Sequence, residues 1–234
     1  MSAGAYLMSL GRVPYREAWE LQRSIAGAVS QGAIPDTVIL LEHPPVITLG
    51  RRTDEAELHV PEDAEVEVVE TNRGGKSTYH GPGQLVCYPI FDLNRHGRDV
   101  KKYCRDLEEA LVKTLAAFSL EGERIEGLTG VWFTRPPRKV ASIGVHISRW
   151  VTTHGYALNV DLDPTPFTHW ITACGLEDAA FTTIARELGR PVPVDEVRPH
   201  AAAALERVFD LAFEELPADE GPGLWAQPVH AKLA

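Results

Sequence analysis

Apolar positions recur at helical spacing from Pro14 to Val29, where Ala18, Leu21, Ile25 and Val29 share a stripe behind a proline suited to a first turn. The same spacing returns from Asp99 to Phe118. There Asp99 is a candidate N-cap, and Tyr103, Leu107, Leu111, Leu115 and Phe118 form one face. Between and after these stretches lie short apolar runs of strand length: Thr37–Leu41, Val46–Leu49, Val66–Val69, Leu85–Tyr88, Val131–Thr134, Val140–Ser148 and Thr153–Val160. Further helices are predicted at Thr182–Leu188 and Glu196–Phe213. Strands and helices mix without a strict βαβ rhythm. The pattern therefore predicts an α+β fold with a mixed or antiparallel sheet flanked by helices. No Ser/Gly-rich or Pro-rich linker divides the chain, so a single domain over residues 1–234 is expected.

One polar segment interrupts this regularity. Arg73 to Leu85 reads RGGKSTYHGPGQL, with Gly74-Gly75 and Gly81-Pro82-Gly83 as turn signals. Five functional side chains crowd beside glycine backbone between two predicted strands. A glycine-rich hairpin with incidental charges is the plain alternative. The density of arginine, lysine, threonine, tyrosine and histidine favours a binding loop on a rigid scaffold.

Charge changes the picture by its distribution. The 234-residue chain carries a formal net charge of −10, which speaks against a nucleic-acid binder. Yet no acid lies between Glu70 and Asp92, where Arg73 and Lys76 stand. None lies between Glu126 and Asp161, where Arg135, Arg138, Lys139 and Arg149 stand. Two purely basic windows in an acidic chain suggest a positive face for an anionic partner; buried strand would explain the missing acids but not the retained bases. No apolar run reaches the ~20 residues of a membrane span, and the first residues lack a signal-peptide pattern. Three cysteines without short spacing argue against a disulfide framework or zinc site, and a cytoplasmic protein with reduced thiols is expected.

Chemistry narrows to few residues. Cys87 and Cys104 sit in a strand run and a helix, as small buried hydrophobes do. Cys174, in ITACGL, sits in a loop-like stretch where Gly175 would admit a substrate and free amides to face an oxyanion. Lys139 opens a strand of small and apolar residues, placed either as a solvated lysine or, by alternation, pointing inward. The nine histidines form no H-x-x-x-H or H-E-x-x-H pair, so no metal is expected, and His80 is assigned to positioning. No phosphate-loop or dinucleotide signature occurs, and no cofactor is expected.

The motifs EHPPVITLGRR (Glu42–Arg52), RGGKSTYHGPGQLVCYPI (Arg73–Ile90), GVWF…RKVASIGVHISRWVTTHGYALNV (Gly130–Val160) and ACGL (Ala173–Leu176) resemble, in matching order, the lipoyl(octanoyl) transferase family. The resemblance spans about residues 37–188. It implies a fold shared with the catalytic domains of biotin and lipoate protein ligases, and transfer of an octanoyl group in lipoate biosynthesis. The implied donor is octanoyl-acyl carrier protein. The implied acceptor is a lysine on lipoyl domains of 2-oxoacid dehydrogenase complexes or on the glycine cleavage H protein. The family's cysteine nucleophile falls on Cys174 and its activating lysine on Lys139. Its substrate-contacting residues fall on Arg73, Gly74, Gly75, Lys76, Ser77, Thr78, Tyr79 and His80, on Ser142, Ile143 and Gly144, and on Gly155, Tyr156 and Ala157. Ala173 stands where the family usually has proline, and Cys87 where glycine is common. Three rival readings stay open: an ATP-dependent lipoate ligase in which Cys174 is idle, a thioester hydrolase pairing Cys174 with His80 or His154, and a non-enzymatic binder of carrier protein.

Overall fold

Burial of both faces of the central strands determines the architecture. A computed structural model describes residues 2–171 and 180–217 of the chain. Strand β1 (Ala3–Arg12), β2 (Thr37–Glu42), β6 (Gln84–Ile90) and β10 (Val151–Asn159) lie side by side in one sheet. On one face Ala5, Leu7, Val38, Leu40, Leu85, Cys87, Tyr156 and Leu158 pack beneath helices α2 (Val100–Ala116) and α5 (Val194–Phe209). On the other face Met8, Leu10, Ile39, Leu41, Val86, Tyr88 and Ala157 pack beneath α1 (Tyr15–Ser30). Consecutive side chains of a strand point to opposite faces, so a strand buried on both reads as an unbroken apolar run. LVCYPI in β6 is such a run.

The sheet continues through β9 (Pro137–Ser148), β8 (Leu128–Thr134) and β7 (Glu123–Ile125), and β12 (Leu211–Leu216) closes the far edge, in the order β12-β1-β2-β6-β10-β9-β8-β7. β1 runs parallel to both β12 and β2, while the pairs from β2 through β7 are antiparallel. A mixed sheet flanked by helices is therefore what the chain forms, as its pattern predicted. A smaller sheet, β4 (Glu67–Glu70), β3 (Val46–Leu49) and β5 (Thr78–His80), stands beside it. The glycine-rich segment is thus no hairpin: it passes from the small sheet at Glu70 to the large one at Gln84 and contributes β5 on the way.

Helix ends follow local chemistry. Asp99 accepts a hydrogen bond from the Lys102 amide at 2.9 Å and caps α2, as expected. The predicted helix from Glu196 to Phe213 is corrected. α5 ends at Phe209, Asp210 turns left-handed at φ 52°, and Leu211–Leu216 pairs in parallel with β1. The open edge of β1 offers hydrogen bonds that a longer helix would leave unused. β1 itself was not expected from the sequence. Its apolar residues divide between two cores, so neither periodicity stands out.

Beneath the N-terminal turn of α1 the interior becomes polar. The Nδ1–H of His43 donates to the Val13 carbonyl at 2.6 Å, so its Nε2 accepts from the Tyr88 hydroxyl at 2.7 Å. Asn72 Oδ1 takes the Nε2–H of His154 at 2.8 Å, leaving Nδ1 to accept from the Tyr15 hydroxyl at 3.3 Å. Burial holds His43 down to about 4, and burial together with the Arg73 guanidinium holds His154 down to about 3. Burial raises Tyr15 to about 12, so its hydroxyl remains a donor. Both imidazoles are neutral in the folded chain but take a proton near pH 6.5 once unfolded. Unfolding therefore binds protons as pH falls from about 6.5 toward 4, and stability drops there by up to about 1.4 kcal/mol per pH unit for each histidine. Thermal melts between pH 7.5 and 4.5 should show this decline, and His43→Gln should flatten it. A melting temperature independent of pH over that interval would contradict the assignment.

Candidate functional site

The polar segment and the β9–β10 ribbon close around one cavity. From the segment come Arg73, Lys76, Ser77, Thr78 and His80; from β9, Ser142, Ile143 and Gly144; from β10, Gly155, Tyr156 and Ala157. These are most of the residues the sequence nominated. Tyr15, Val86, Tyr88 and His154 also line it and were not singled out as binding residues. Tyr15 and Val86 sit in an amphipathic helix and an apolar strand, where packing alone explains them. Gly74, Gly75 and Tyr79 do not line the cavity; Tyr79 packs edge-on against Phe167 at 5.8 Å instead.

Arg73 organises this wall. Only 6% exposed, its guanidinium donates to the Thr48 carbonyl at 2.6 Å, to Thr48 Oγ1 at 2.8 and 3.1 Å, to the Gly74 carbonyl at 3.1 Å and to the Lys76 carbonyl at 2.7 Å. A Cβ on Gly144 would lie 3.3 Å from its Cδ, so the arginine stem rests on bare backbone. Gly155 lies opposite Gly144, and a Cβ there would come within 2.2 Å of the Cys87 carbonyl. The glycines are thus explained by the close approach of backbone and arginine.

His80 is 7% exposed and held well below its usual pKa, first by burial and then by the neighbouring His43. Its Nδ1–H donates to Gln84 Oε1 at 2.7 Å, and Gln84 Nε2 donates to Asn159 Oδ1 at 3.0 Å. Asn159 Nδ2 donates to the Thr182 carbonyl at 3.1 Å, and the Thr182 amide to the Lys139 carbonyl at 3.0 Å. All four bonds run in one direction. They fix the neutral His80 with a lone pair on Nε2 and tie the cavity to the strand that carries Lys139.

Lys139 is 4% exposed, which removes the solvated-lysine reading. Its ammonium stands 5.0 Å from the centre of the Trp132 ring, a cation–π distance, and its stem covers Gly130, where a Cβ would lie 2.9 Å from Cε. It is not among the residues lining the cavity. Cys174 lies outside the described residues, as does Ala173. The chain leaves the described structure after Ile171, which bridges Leu58, and returns at β11 (Ala180–Phe181), whose Phe181 pairs with Lys139. Ile171 and Phe181 belong to one apolar cluster, in which Phe181 stacks on Phe167 at 4.4 Å. Cys87 is fully buried and Cys104 partly so, and burial raises both thiols. Neither is a nucleophile by environment.

The idea of one continuous basic face needs correction. Arg138 is held by Glu187 through two bonds of 2.9 and 2.7 Å, Lys76 pairs with Glu57, and Arg73 and Lys139 are buried. Most bases of the acid-free windows therefore serve internal contacts, while Arg135 and Arg149 stay exposed. Among the described residues no cluster suits a metal ion, and no helix is long and apolar enough to cross a membrane.

Comparison with known proteins places this geometry. The family model described as lipoyl protein ligase A/B catalytic domain matches residues 14–206. An octanoyltransferase of Mycobacterium tuberculosis is 53% identical over 203 residues, covering 86% of this chain and 85% of that protein. One of Chloroflexus aggregans is 48% identical over 208 residues, covering 86% and 93%. Among solved structures, lipoate-protein ligase A bound with ATP superposes with a TM-score of 0.74 at 14% identity, covering 96% of this chain and 94% of that one, a likeness of fold alone. With a family model spanning most of its length and relatives near half-identical, the chain belongs to the lipoyl protein ligase A/B catalytic-domain family.

Proposed function

We propose that this protein is an octanoyltransferase of protein lipoylation, moving an octanoyl group from a carrier-protein thioester to a lysine ε-amine on a lipoyl domain. The identity to proteins named octanoyltransferase carries the reading. The cavity supports it: the nominated segment and ribbon meet there, over Val86 and Ala157 and beside neutral hydrogen-bonding groups. The donors are octanoyl-acyl carrier protein, and the acceptors are lipoyl domains of 2-oxoacid dehydrogenases and the glycine cleavage H protein.

The reaction has two steps. Cys174 as thiolate attacks the octanoyl carbonyl, and the tetrahedral intermediate expels the carrier's thiol, which takes a proton from the Lys139 ammonium. The acceptor's neutral amine then attacks acyl-Cys174. Its surplus proton goes to neutral Lys139, and the thiolate of Cys174 leaves as the amide forms. A thioester already stands above an amide in free energy, so the sequence of steps needs no nucleotide. An ammonium ~4 Å from a thiol supplies a gross attraction of about 4 kcal/mol at an effective dielectric near 20. At ~1.4 kcal/mol per pKa unit this brings a thiol from its usual ~8.5 toward neutrality even after desolvation losses. Support for the pairing comes from β11, where the chain rejoins the sheet after Cys174 by pairing with Lys139 itself. Arg73, Lys76, Ser77, Thr78 and His80 of the loop, with Ser142–Gly144 and Gly155–Ala157, line the cavity that would take the acyl chain. Ser77 Oγ, buried on the cavity wall without a hydrogen-bond partner among the described residues, would be satisfied by a ligand oxygen.

Intact-mass analysis after incubation with octanoyl-carrier protein, without ATP or acceptor, should show one octanoyl adduct mapping to Cys174. Absolute dependence on ATP would point instead to a ligase, and hydrolysis without a persistent adduct to a thioesterase. Lys139→Met keeps most of the stem and removes the charge. It should move the pH profile of iodoacetamide alkylation at Cys174 upward by about one to three units. Superimposable profiles would remove Lys139 from the mechanism.

A further inference from the structure

The floor of the cavity is built from small side chains. Ser142 and Gly144 of β9 stand opposite Ala157 and Gly155 of β10, and Ala157 in turn stands opposite Val86 of β6. Lys139 lies beyond one edge of this floor. It precedes Ser142 on β9, and its stem leans over Gly130 of β8, the neighbour of β9 on the side away from β10. An acyl group carried by a sulfur beside that ammonium therefore enters over β9 and runs across β10 toward β6. Two strand spacings cover ~10 Å. The seven carbon–carbon bonds of an extended octanoyl chain cover about 9 Å, at ~1.3 Å of advance per bond.

At the β6 end the small residues stop, and Tyr15, Tyr88 and His154 line the cavity. Alternation along β10 would send His154 to the α2 and α5 side with Tyr156, which packs in that core. Instead His154 takes a φ of 57°, a left-handed conformation uncommon outside glycine, and its ring turns to Tyr15 of α1. Pro89 of β6 permits this departure, because it has no N–H to offer the ladder, and the β10–β6 pairing runs from Asn159 to Tyr156. The His154 amide donates to Gln22 Oε1 of α1 at 2.7 Å. The Tyr15 ring stands 5.2 Å from that of His43 and 6.0 Å from that of His80. Tyr88 stands 5.9 Å from His43 and 6.4 Å from His154. Rings packed and hydrogen-bonded in this way leave no slack for a further methylene.

We propose that Tyr15 and His154 are the end stop of the acyl site and make eight carbons the longest chain that fits. The proposal rests on the octanoyltransferase reading and adds to it the residues that choose the chain. Burial alone would favour each added methylene by about fourfold. A preference for octanoyl therefore needs a wall that opposes the ninth and tenth carbons, and these two rings stand where those carbons would go.

The test uses hexanoyl-, octanoyl- and decanoyl-pantetheine and follows acylation of Cys174 by intact mass, with calorimetric binding of the three free fatty acids alongside. Wild type should prefer octanoyl to either neighbour by about tenfold in kcat/KM. His154→Gly suits the left-handed backbone and removes the ring, so it should raise the decanoyl-to-octanoyl ratio by about tenfold or more. Tyr15→Val should raise the same ratio. Tyr15→Phe keeps the bulk and loses one hydrogen bond, so it should lower the melting temperature and keep the wild-type ratio. A variant that only loosens the fold would slow all three donors together. Equal use of decanoyl and octanoyl by wild type, or an unchanged ratio in both His154→Gly and Tyr15→Val, would overturn the proposal. Should no donor acylate Cys174 while fatty-acid binding still breaks off at eight carbons and the variants move that limit, the end stop stands and the transferase reading fails. Should Cys174 acylate without regard to chain length, the reverse holds.

Discussion

The buried guanidinium of Arg73 is the constraint on which the site depends. Five hydrogen bonds from it reach Thr48 in the small sheet and the carbonyls of its own loop, so they hold a glycine-rich segment that has little regular pairing of its own. Its stem requires Gly144 beneath it, and its Nη1 would lie 2.8 Å from any Cβ on Gly50. Its charge also helps to keep His80 and His154 unprotonated. One residue thus joins the two sheets, shapes the cavity wall and sets the protonation of the groups around it. A lysine would not replace it, because the planar fork satisfies four different oxygens at once.

From that wall the run of hydrogen bonds through Gln84 and Asn159 reaches Thr182 at the point where β9 changes neighbours. β10 pairs with β9 as far as Leu158 and Ala141; beyond that, β11 takes the same edge at Lys139 and Arg138. The Asn159 side chain, at the end of β10, accepts from Gln84 of β6 and donates to the Thr182 carbonyl just after β11. Buried amides of this kind are costly when any member is unsatisfied, so the geometry they enforce is narrow. It holds the return of the Cys174 segment to the strand bearing Lys139.

The chain's acidity and its basic windows now have separate explanations. Buried strand accounts for the missing acids, and internal contacts account for most of the retained bases. Arg138 serves Glu187, which also accepts from Thr182 Oγ1 at 2.6 Å and so steadies the start of helix α4 (Ile184–Leu188). The exposed bases that remain, Arg135 and Arg149, lie at opposite ends of β9.

The sequence by itself determined the strand runs, the two long amphipathic helices, the mixed sheet and the segments that build the cavity, because these follow from periodicity and from residue types that only certain chemistry needs. It also marked Cys87 and Cys104 as packing residues, correctly, from their neighbours. It did not reveal β1 or β12, whose pairing depends on an open edge more than two hundred residues away in sequence for one strand and on two cores for the other. Nor could it show that Arg73 is bonded into Thr48, that Lys139 is buried against Trp132, or that Arg138 is neutralised by Glu187. Those outcomes depend on which side chains arrive at the same point in space. Charge and hydrophobicity are properties of single residues and can be read along a chain, but desolvation and pairing arise between residues, and only the tertiary structure decides them.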